Sequence, residues 1–180
     1  MATRLVIGGA RSGKSRFAES LLAGAPAVEY VATSDPRADD AEWVERVAVH
    51  VARRPPTWST TETLDLPAVL ARADAMPVLV DCLTVWLTRV MDAAGAWREL
   101  PGHDPDAAAA VEARVVDLVA ALRGTGREVV LVTNEVGQGI VPATASGRLF
   151  RDTMGVLNAR VAAVCDEVWL VVAGLPLRLA

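Results

Sequence analysis

Two hydrophobic patterns alternate along this chain: short continuous apolar runs, and longer segments in which apolar residues recur at helical spacing. The apolar runs predict strands over Arg4–Ile7, Val28–Ala32, Pro77–Asp81, Glu128–Val132 and Glu167–Val172. Helical spacing predicts helices over Lys14–Ala23, Ala41–Ala52, Pro67–Ala73, Leu83–Ala94, Pro105–Arg123 and Ser146–Val164. Trp58–Thr63 alternates weakly and is rich in threonine, so it is either a strand or an extended loop.

The predicted strands are apolar throughout and do not alternate with polar residues. Strands of that kind are buried on both sides, which is typical of a mostly parallel sheet with helices on both faces. The chain has 180 residues, the length of one domain, so we expect residues 1–180 to form a single α/β domain. The Gly- and Pro-containing stretch Gly95–Asp106 predicts a loop inside that domain.

Composition narrows the class of protein further. The formal net charge is −4, which argues against a protein that holds nucleic acid by neutralising phosphates. The two cysteines, Cys82 and Cys165, lie among apolar residues and are interpreted as reduced core thiols. The chain runs from Met1 straight into an apolar strand, and no apolar run approaches the roughly 20 residues of a membrane span. These features predict a cytoplasmic protein without membrane insertion.

One short segment carries a chemical motif. The residues Gly8-Gly9-Ala10-Arg11-Ser12-Gly13-Lys14-Ser15 match the phosphate-loop pattern G-x-x-x-x-G-K-[ST], between a predicted strand and a predicted helix. Glycines let the backbone turn so that its N–H groups face phosphate oxygens, and the start of the helix adds its positive end. We expect Lys14 to reach the β- and γ-phosphates and the Ser15 hydroxyl to coordinate Mg²⁺. The sequence therefore predicts a protein that binds a nucleoside triphosphate.

A phosphate loop also needs a carboxylate for magnesium, usually at the end of a neighbouring apolar strand. Asp81 ends the predicted strand Pro77–Asp81 in that way. Asp81 is also a favoured residue type for capping the helix that follows, and the two roles are compatible. Glu135, which follows another predicted strand through Thr133 and Asn134, is the competing carboxylate. The guanine-reading N-K-x-D motif of switch GTPases is missing from the sequence, which favours a small-molecule kinase or a nucleotidyltransferase.

The chain has two histidines, and their settings differ. His103 lies in a Gly- and Pro-containing loop and is expected to be solvated. His50 lies near the end of the predicted helix Ala41–Ala52, on the same side as Trp43 and Val47, so it faces a packed or cleft side. One interpretation of His50 is purely structural, because a histidine at a helix C-terminus interacts favourably with the helix dipole.

Several further segments follow the phosphate loop in order: Tyr30-Val31-Ala32-Thr33, Arg46-x-x-x-His50-x-x-x-Arg54-Pro55-x-x-Trp58, Leu131-Val132-Thr133-Asn134-Glu135-Val136-Gly137 and Asp166-Glu167-Val168-Trp169. Together they resemble the bifunctional adenosylcobinamide kinase / adenosylcobinamide-phosphate guanylyltransferase family of cobalamin biosynthesis (CobU/CobP type). The resemblance extends from about Leu5 to Gly174 and implies a P-loop NTPase domain with a RecA-like sheet.

The resemblance implies two successive reactions. In the first, GTP or ATP phosphorylates the aminopropanol hydroxyl of adenosylcobinamide. In the second, GMP is transferred from GTP onto adenosylcobinamide phosphate through a guanylylated histidine, and pyrophosphate is released. His50 matches the position of that histidine, so His50 and Lys14 are the expected catalytic residues. The resemblance also suggests a homo-oligomer, with a trimer as the expected assembly.

The resemblance extends the predicted GTP site beyond the phosphate loop and Asp81, to Thr33, Ser34, Val51, Ala52, Arg53, Arg54 and Glu62. Arg53 and Arg54 are candidate phosphate clamps, with a solvated basic helix end as the alternative. Two other functions stay open: a small-molecule kinase in which His50 is structural, and a non-catalytic nucleotide-dependent binding module.

Overall fold

A computed structural model of the chain describes residues 1–34, 45, 54–74, 76–97 and 104–180. Its strands are β1 (Thr3–Gly8), β2 (Glu29–Ala32), β3 (Ser59–Glu62), β4 (Val78–Asp81), β5 (Val129–Asn134), β6 (Glu167–Val172) and β7 (Leu175–Arg178). Its helices are α1 (Lys14–Leu21), α2 (Leu66–Leu70), α3 (Leu83–Ala93), α4 (Pro105–Gly124) and α5 (Ala145–Ala162). The predicted helix over Ala41–Ala52 lies, apart from Glu45, outside the described residues.

The seven strands form one sheet in the order β3-β2-β4-β5-β1-β6-β7. Every neighbouring pair is parallel except β6 and β7, which are antiparallel. The predicted fold class, a mostly parallel α/β sheet, is therefore confirmed. Because β1 to β6 are parallel, their carboxyl ends meet at one edge of the sheet, where open α/β folds bind their ligands.

Helices cover both faces of the sheet and bury two separate cores. On one face α1 packs its Ala18 against Val6 of β1 and Val132 of β5. On the other face, α2, α3, α4 and α5 bury a larger core that includes Leu5 and Trp86. Successive residues of β1, Leu5 and Val6, thus point into different cores, which is why the strand is apolar at every position.

Two strand predictions need correction. The sequence predicts Glu167–Val172 as the last strand, but β7 follows it after a tight turn in which Ala173 and Gly174 both have positive φ values, 51° and 80°. Residues with positive φ at both central positions form the turn that joins antiparallel strands, and Ala-Gly is a weak signal for it. The predicted strand Glu128–Val132 also ends too early, because β5 continues to Asn134.

A buried ion pair lies at the amino edge of the sheet, opposite the ligand-binding edge. Arg127 is almost fully buried, and its guanidinium pairs with Glu29 of β2 at 2.9 Å and with Asp74 at 3.0 Å. It also donates to the carbonyls of Val69 and Met76, both at 2.9 Å. These contacts tie the segment before β5 to β2 and to the residues around α2.

Cys82 and Cys165 are free thiols, as the sequence predicts. Burial raises the pKa of Cys82, and burial together with the nearby Asp166 carboxylate raises the pKa of Cys165 to about 12. Both side chains are therefore neutral thiols near pH 7. In the part of the chain that the structure describes, no helix has both the length and the apolar character needed to cross a bilayer.

Candidate active site

The phosphate loop begins at Gly8, the last residue of β1, where the chain folds back over its own strand. A Cβ atom at Gly8 would lie 2.5 Å from Ser12 Oγ and 2.7 Å from the backbone oxygen of Val171. No side chain fits in that space, so glycine is required for the loop to close on β1. Ser12 N–H donates to the carbonyl of Gly9 at 3.3 Å, which completes the turn.

The far end of the loop leads into α1. Arg11 and Gly13 have positive φ values of 55° and 93°, and Gly13 is the N-cap residue without a side-chain cap. The first backbone N–H groups of α1 therefore lack a capping side chain and face the loop opening, which is the arrangement that binds phosphate. The β6–β7 turn supports the loop from behind, because Gly174 N–H donates to the carbonyl of Ser12 at 2.8 Å.

Lys14 and Ser15 are the first two residues of α1. The Lys14 ammonium lies across the loop and donates to the carbonyl of Gly9 at 3.1 Å. The lone lysine of the chain is thus at the phosphate loop, at the positive end of a helix, as the motif predicts.

Asp81 ends β4 at the same edge of the sheet, but β4 is not the strand next to β1. The intervening strand is β5, so Asp81 lies two strand spacings, about 10 Å, from the start of the phosphate loop. The register pairs Asp81 with Val132, and Val132 with Val6, so the Asp81 side chain points to the face that α1 covers. Asp81 and Lys14 are therefore on one side of the sheet.

The alternative role of Asp81 as a helix cap is wrong. The N-cap residue of α3 is Cys82, and it makes no side-chain capping hydrogen bond. The Asp81 carboxylate instead lies beside the buried Tyr30 of β2. Burial raises the pKa of Tyr30 well above its usual range, and the nearby Asp81 carboxylate raises that pKa further. Tyr30 is therefore a neutral phenol near pH 7.

Arg54 packs next to this pair. Its guanidinium carbon lies 3.3 Å from the centre of the Tyr30 ring, and its Nη1 contacts Thr60 Oγ1 at 3.3 Å. Its Nε is buried without a hydrogen-bond partner in the described part of the chain. Arg54 therefore packs over β2 with an Nε donor that no described residue uses, which favours a ligand contact over a solvated helix end.

Thr33 and Ser34 follow β2 at this edge. The buried Thr33 hydroxyl donates to the carbonyl of Cys82 at 2.8 Å and accepts from its N–H at 3.2 Å. Arg89 Nη1 donates to the carbonyl of Thr33 at 3.1 Å. The Thr33 side chain therefore holds the end of β2 against the residue after Asp81, which is a structural role in addition to the nucleotide contact that the resemblance implies.

The two remaining predicted carboxylates have different surroundings. Glu62 is exposed at the end of the edge strand β3, four strand spacings, about 19 Å, from β1. Glu135 lies just beyond β5, and its Oε1 accepts a hydrogen bond of 2.5 Å from Gly137 N–H. Because the Glu135 carboxylate is used in this turn, the arrangement favours Asp81 as the carboxylate for magnesium.

Five predicted residues lie outside the described ranges: His50, Val51, Ala52, Arg53 and His103. The described residues also include one that sequence reasoning missed. Asn134 lies at the carboxyl end of β5, between the strands that end in Gly8 and Asp81. A polar residue that ends an apolar strand at the ligand-binding edge was the available signal. It was missed because the sequence treats Thr133 and Asn134 as a connection to Glu135.

Comparison with known proteins identifies relatives over nearly the whole chain. A sequence profile described as cobinamide kinase / cobinamide phosphate guanyltransferase matches residues 4–179. The chain is 42% identical to the bifunctional adenosylcobalamin biosynthesis protein CobU of Salmonella typhimurium, over 97% of this chain and 98% of that protein. It is 39% identical to the bifunctional adenosylcobalamin biosynthesis protein CobP of Pseudomonas aeruginosa, over 97% of this chain and 95% of that protein.

Solved structures share the fold at much lower identity. An ATPase from the type III secretion system of pathogenic bacteria superimposes with a TM-score of 0.59 at 13% identity, covering 94% of this chain and 50% of the ATPase. The ATPase EscN from enteropathogenic Escherichia coli gives a TM-score of 0.55 at 12% identity, covering 96% of this chain and 43% of EscN. These matches confirm a phosphate-loop ATPase fold.

Proposed function

The chain belongs to the cobinamide kinase / cobinamide phosphate guanyltransferase family, and we propose that it runs both reactions at the carboxyl edge of one sheet, within a single domain of residues 1–180. It phosphorylates adenosylcobinamide and then converts the phosphate to adenosylcobinamide-GDP. One observation carries this proposal: in a chain that matches the family from end to end, the only lysine stands in a correctly closed phosphate loop.

In the kinase step, the aminopropanol hydroxyl of adenosylcobinamide attacks the γ-phosphorus of GTP or ATP. The bond between the γ-phosphorus and the bridging oxygen breaks, the hydroxyl proton passes to solvent, and a nucleoside diphosphate is released. Lys14 and the loop N–H groups face the phosphates on which negative charge grows, so they stabilise the leaving group. This step needs no nucleophile from the protein.

In the guanylyltransferase step, we assign the nucleophile to His50. A neutral imidazole nitrogen attacks the α-phosphorus of GTP and displaces pyrophosphate, and a phosphate oxygen of adenosylcobinamide phosphate then displaces the imidazole. Three residues separate His50 from Arg54, so the chain can carry His50 at most about 14 Å from Arg54. Because Arg54 packs on Tyr30 of β2, this limit is compatible with an attack by His50 on a triphosphate bound at the carboxyl edge.

The nucleotide contacts can be divided along the sheet. The loop residues Gly8 to Ser15 would hold the phosphates, with Arg53 and Arg54 as further phosphate contacts. Thr33, Ser34 and Glu62 follow or end strands farther from β1 and would contact the rest of GTP, and we assign Val51 and Ala52 to the same site by the resemblance alone. The distance of about 19 Å between β3 and β1 supports a nucleotide laid along the edge.

The residues present fit a magnesium ion. The Ser15 hydroxyl and the Asp81 carboxylate are the hard oxygen ligands that Mg²⁺ prefers, and the ion usually takes only one or two carboxylates alongside substrate phosphates. In keeping with that mode, the described residues hold no cluster of three or more His, Cys, Asp or Glu side chains. When bound, magnesium supplies positive charge to the leaving phosphate oxygens.

The proposal also concerns where and in what form the enzyme works. Neutral free thiols at Cys82 and Cys165 suit a reducing compartment, and we place the enzyme in the cytoplasm. By the resemblance we also propose a homo-oligomer, with a trimer as the assembly to test by light scattering.

The decisive experiment follows the α-phosphate. After incubation with GTP labelled at that phosphate, the wild-type protein should retain label, and its intact mass should increase by one GMP. His50→Asn should abolish the label and nearly abolish guanylyl transfer, while much of the phosphorylation of adenosylcobinamide remains. The adduct should be labile in acid and stable in base, as phosphoramidates are.

His103→Asn is the matched control and should change neither activity. Label on the His50→Asn protein, or label that maps to His103, would contradict the assignment. A wild-type protein that phosphorylates adenosylcobinamide and never takes up label would be a small-molecule kinase without guanylyl transfer. Absence of both products would leave only a nucleotide-dependent binding module.

A further inference from the structure

Two polar atoms beside the phosphate loop are buried without a partner. In the described part of the chain, neither Asn134 Oδ1 nor Ser12 Oγ has a hydrogen-bond partner within reach. Such groups are rare, because burial removes the hydrogen bond from water to the acceptor, and without a protein donor no other hydrogen bond replaces it. Ser12 belongs to the phosphate loop already assigned to GTP, so the unexplained atom is Asn134 Oδ1.

The register places Asn134 directly beside the loop. Asn134 pairs with Gly8 across the β1–β5 ladder, so both residues direct their side-chain positions to the face that α1 covers. On that face, Ser12 Oγ lies 2.5 Å from the position of a Gly8 Cβ. One strand spacing, about 5 Å, therefore separates Asn134 from the interior of the phosphate loop. Asp81 points to the same face from the next strand.

The backbone of Asn134 is held from two sides. Its N–H donates to Thr84 Oγ1 at 2.9 Å, and its carbonyl accepts from Asn158 Nδ2 at 3.0 Å. The Oδ1 of Asn158 in turn accepts from the Thr133 hydroxyl at 2.8 Å. Among the described residues, Asn134 Oδ1 is the buried side-chain atom of this network that has no partner. The network therefore fixes the position of an acceptor that the described residues leave unpaired.

Chemistry limits what can pair with this atom. An amide oxygen only accepts hydrogen bonds, and so do phosphate oxygens, so Asn134 Oδ1 cannot bind a phosphate directly. The donors that accompany a bound triphosphate are the Lys14 ammonium and the water molecules of a magnesium ion. Lys14 now donates to the carbonyl of Gly9, a solvent-accessible contact from which it can turn when phosphates arrive.

We propose that Asn134 is a positioning residue of the triphosphate site, whose Oδ1 accepts a hydrogen bond from a cationic donor held at the phosphates, either Lys14 Nζ or a magnesium-bound water. Asn134 thereby orients the cation that neutralises the leaving phosphates in both reactions. The inference rests on the proposed triphosphate site and adds to it a residue that neither the loop motif nor the predicted carboxylates include.

The test compares two asparagines at the same strand end, the half-buried Asn134 and the buried Asn158. Asn134→Leu removes the unpaired oxygen and keeps the two backbone hydrogen bonds, so the melting temperature without nucleotide should stay equal or rise. Asn158→Leu removes partners of Thr133 and Asn134, so its melting temperature should fall. With magnesium and GTP, Asn134→Leu should bind about 10- to 100-fold more weakly than wild type, the effect of one hydrogen bond to a charged group.

Asn134→Asp keeps the acceptor and should bind Mg-GTP better than Asn134→Leu. Repeating the titrations without magnesium distinguishes the donors: the defect of Asn134→Leu persists if Lys14 is the donor and disappears if the donor is a magnesium-bound water. Wild-type affinity in Asn134→Leu would overturn the inference, as would an Asp variant no better than Leu or a melting temperature that falls as in Asn158→Leu. If neither wild type nor Lys14→Ala binds GTP in these titrations, the proposed triphosphate site itself is wrong.

Discussion

Adding one methyl group at Gly8 should test the phosphate loop most directly. A Cβ at Gly8 would stand 2.5 Å from Ser12 Oγ and 2.7 Å from the carbonyl oxygen of Val171. Ser12 can change rotamer, but the Val171 carbonyl belongs to β6, whose Val171 is the register partner of Gly8. The backbone oxygen cannot retreat without opening the ladder between β1 and β6, so Gly8→Ala forces the loop and the strand apart.

The cost can be estimated from that clash. Inserting a methyl group where there is no space costs about 1–3 kcal/mol of unfolding free energy. For a domain of this length each kcal/mol corresponds to about 2–4 °C of melting temperature, so Gly8→Ala should melt roughly 2–12 °C below wild type. Gly9 is the matched control, because a Cβ there has no atom within 4 Å. Gly9→Ala should therefore melt within about 2 °C of wild type.

Differential scanning fluorimetry without nucleotide measures both variants. Uptake of α-labelled GTP then reports the site: the displaced loop of Gly8→Ala should take up little or no label, because its N–H groups no longer converge on the phosphates. A Gly8→Ala protein that melts with wild type and labels normally would refute the reasoning, because the loop would then tolerate a side chain that its geometry excludes.

Three further outcomes are expected. Asp81→Asn should raise the magnesium concentration that both activities require by about tenfold, whereas Glu135→Gln should not, and the opposite result in a magnesium titration would transfer the metal role to Glu135. Arg127→Met should cost about 3 kcal/mol in urea denaturation, because it removes the buried one of the two arginines that pair with Glu29 and leaves the carbonyls of Val69 and Met76 without their donor. A change below about 1 kcal/mol would contradict that reasoning. Burial raises the pKa of Glu29, but hydrogen bonds from Thr61 and Arg127 outweigh it and hold the pKa below the usual value. A lowered folded-state pKa gives stability that is present above the unfolded pKa and lost as the pH falls through the folded pKa, so wild type should lose stability on acidification more steeply than Glu29→Gln.

Local signals account for what the sequence predicts well. The phosphate loop is specified by glycines at fixed spacing and by the strand and helix on either side, and the structure places Lys14 and Ser15 at the start of α1 as predicted. The predictions of free thiols and of a parallel sheet likewise rest on a local signal, the continuous apolar runs. None of these predictions depends on the order of the strands in the sheet.

Non-local geometry accounts for what the sequence misses. The polar residues Thr133 and Asn134 extend the β1–β5 ladder because they pair with Ile7 and Gly8 of β1. Their own residue types do not predict that pairing. β7 depends on a two-residue turn with positive φ at Ala173, a residue that rarely adopts it. The capping role considered for Asp81 fails because Cys82 takes the N-cap position. This is a shift of one residue, and sequence patterns do not locate helix ends to a single residue.

Strand order is the non-local feature with most consequence for the chemistry. The sequence predicts Asp81 on a strand next to β1, yet β5 lies between them and brings Asn134 into the gap. The phosphate loop and Asp81 therefore lie on either side of the carboxyl end of β5, about 10 Å apart in strand spacing. A magnesium ion held by Ser15 and Asp81 would be bound by the carboxylate directly or through a water molecule, and Asn134 would lie between these residues. The same strand order that separates the predicted ligands thus gives a reason for an unpaired acceptor between them.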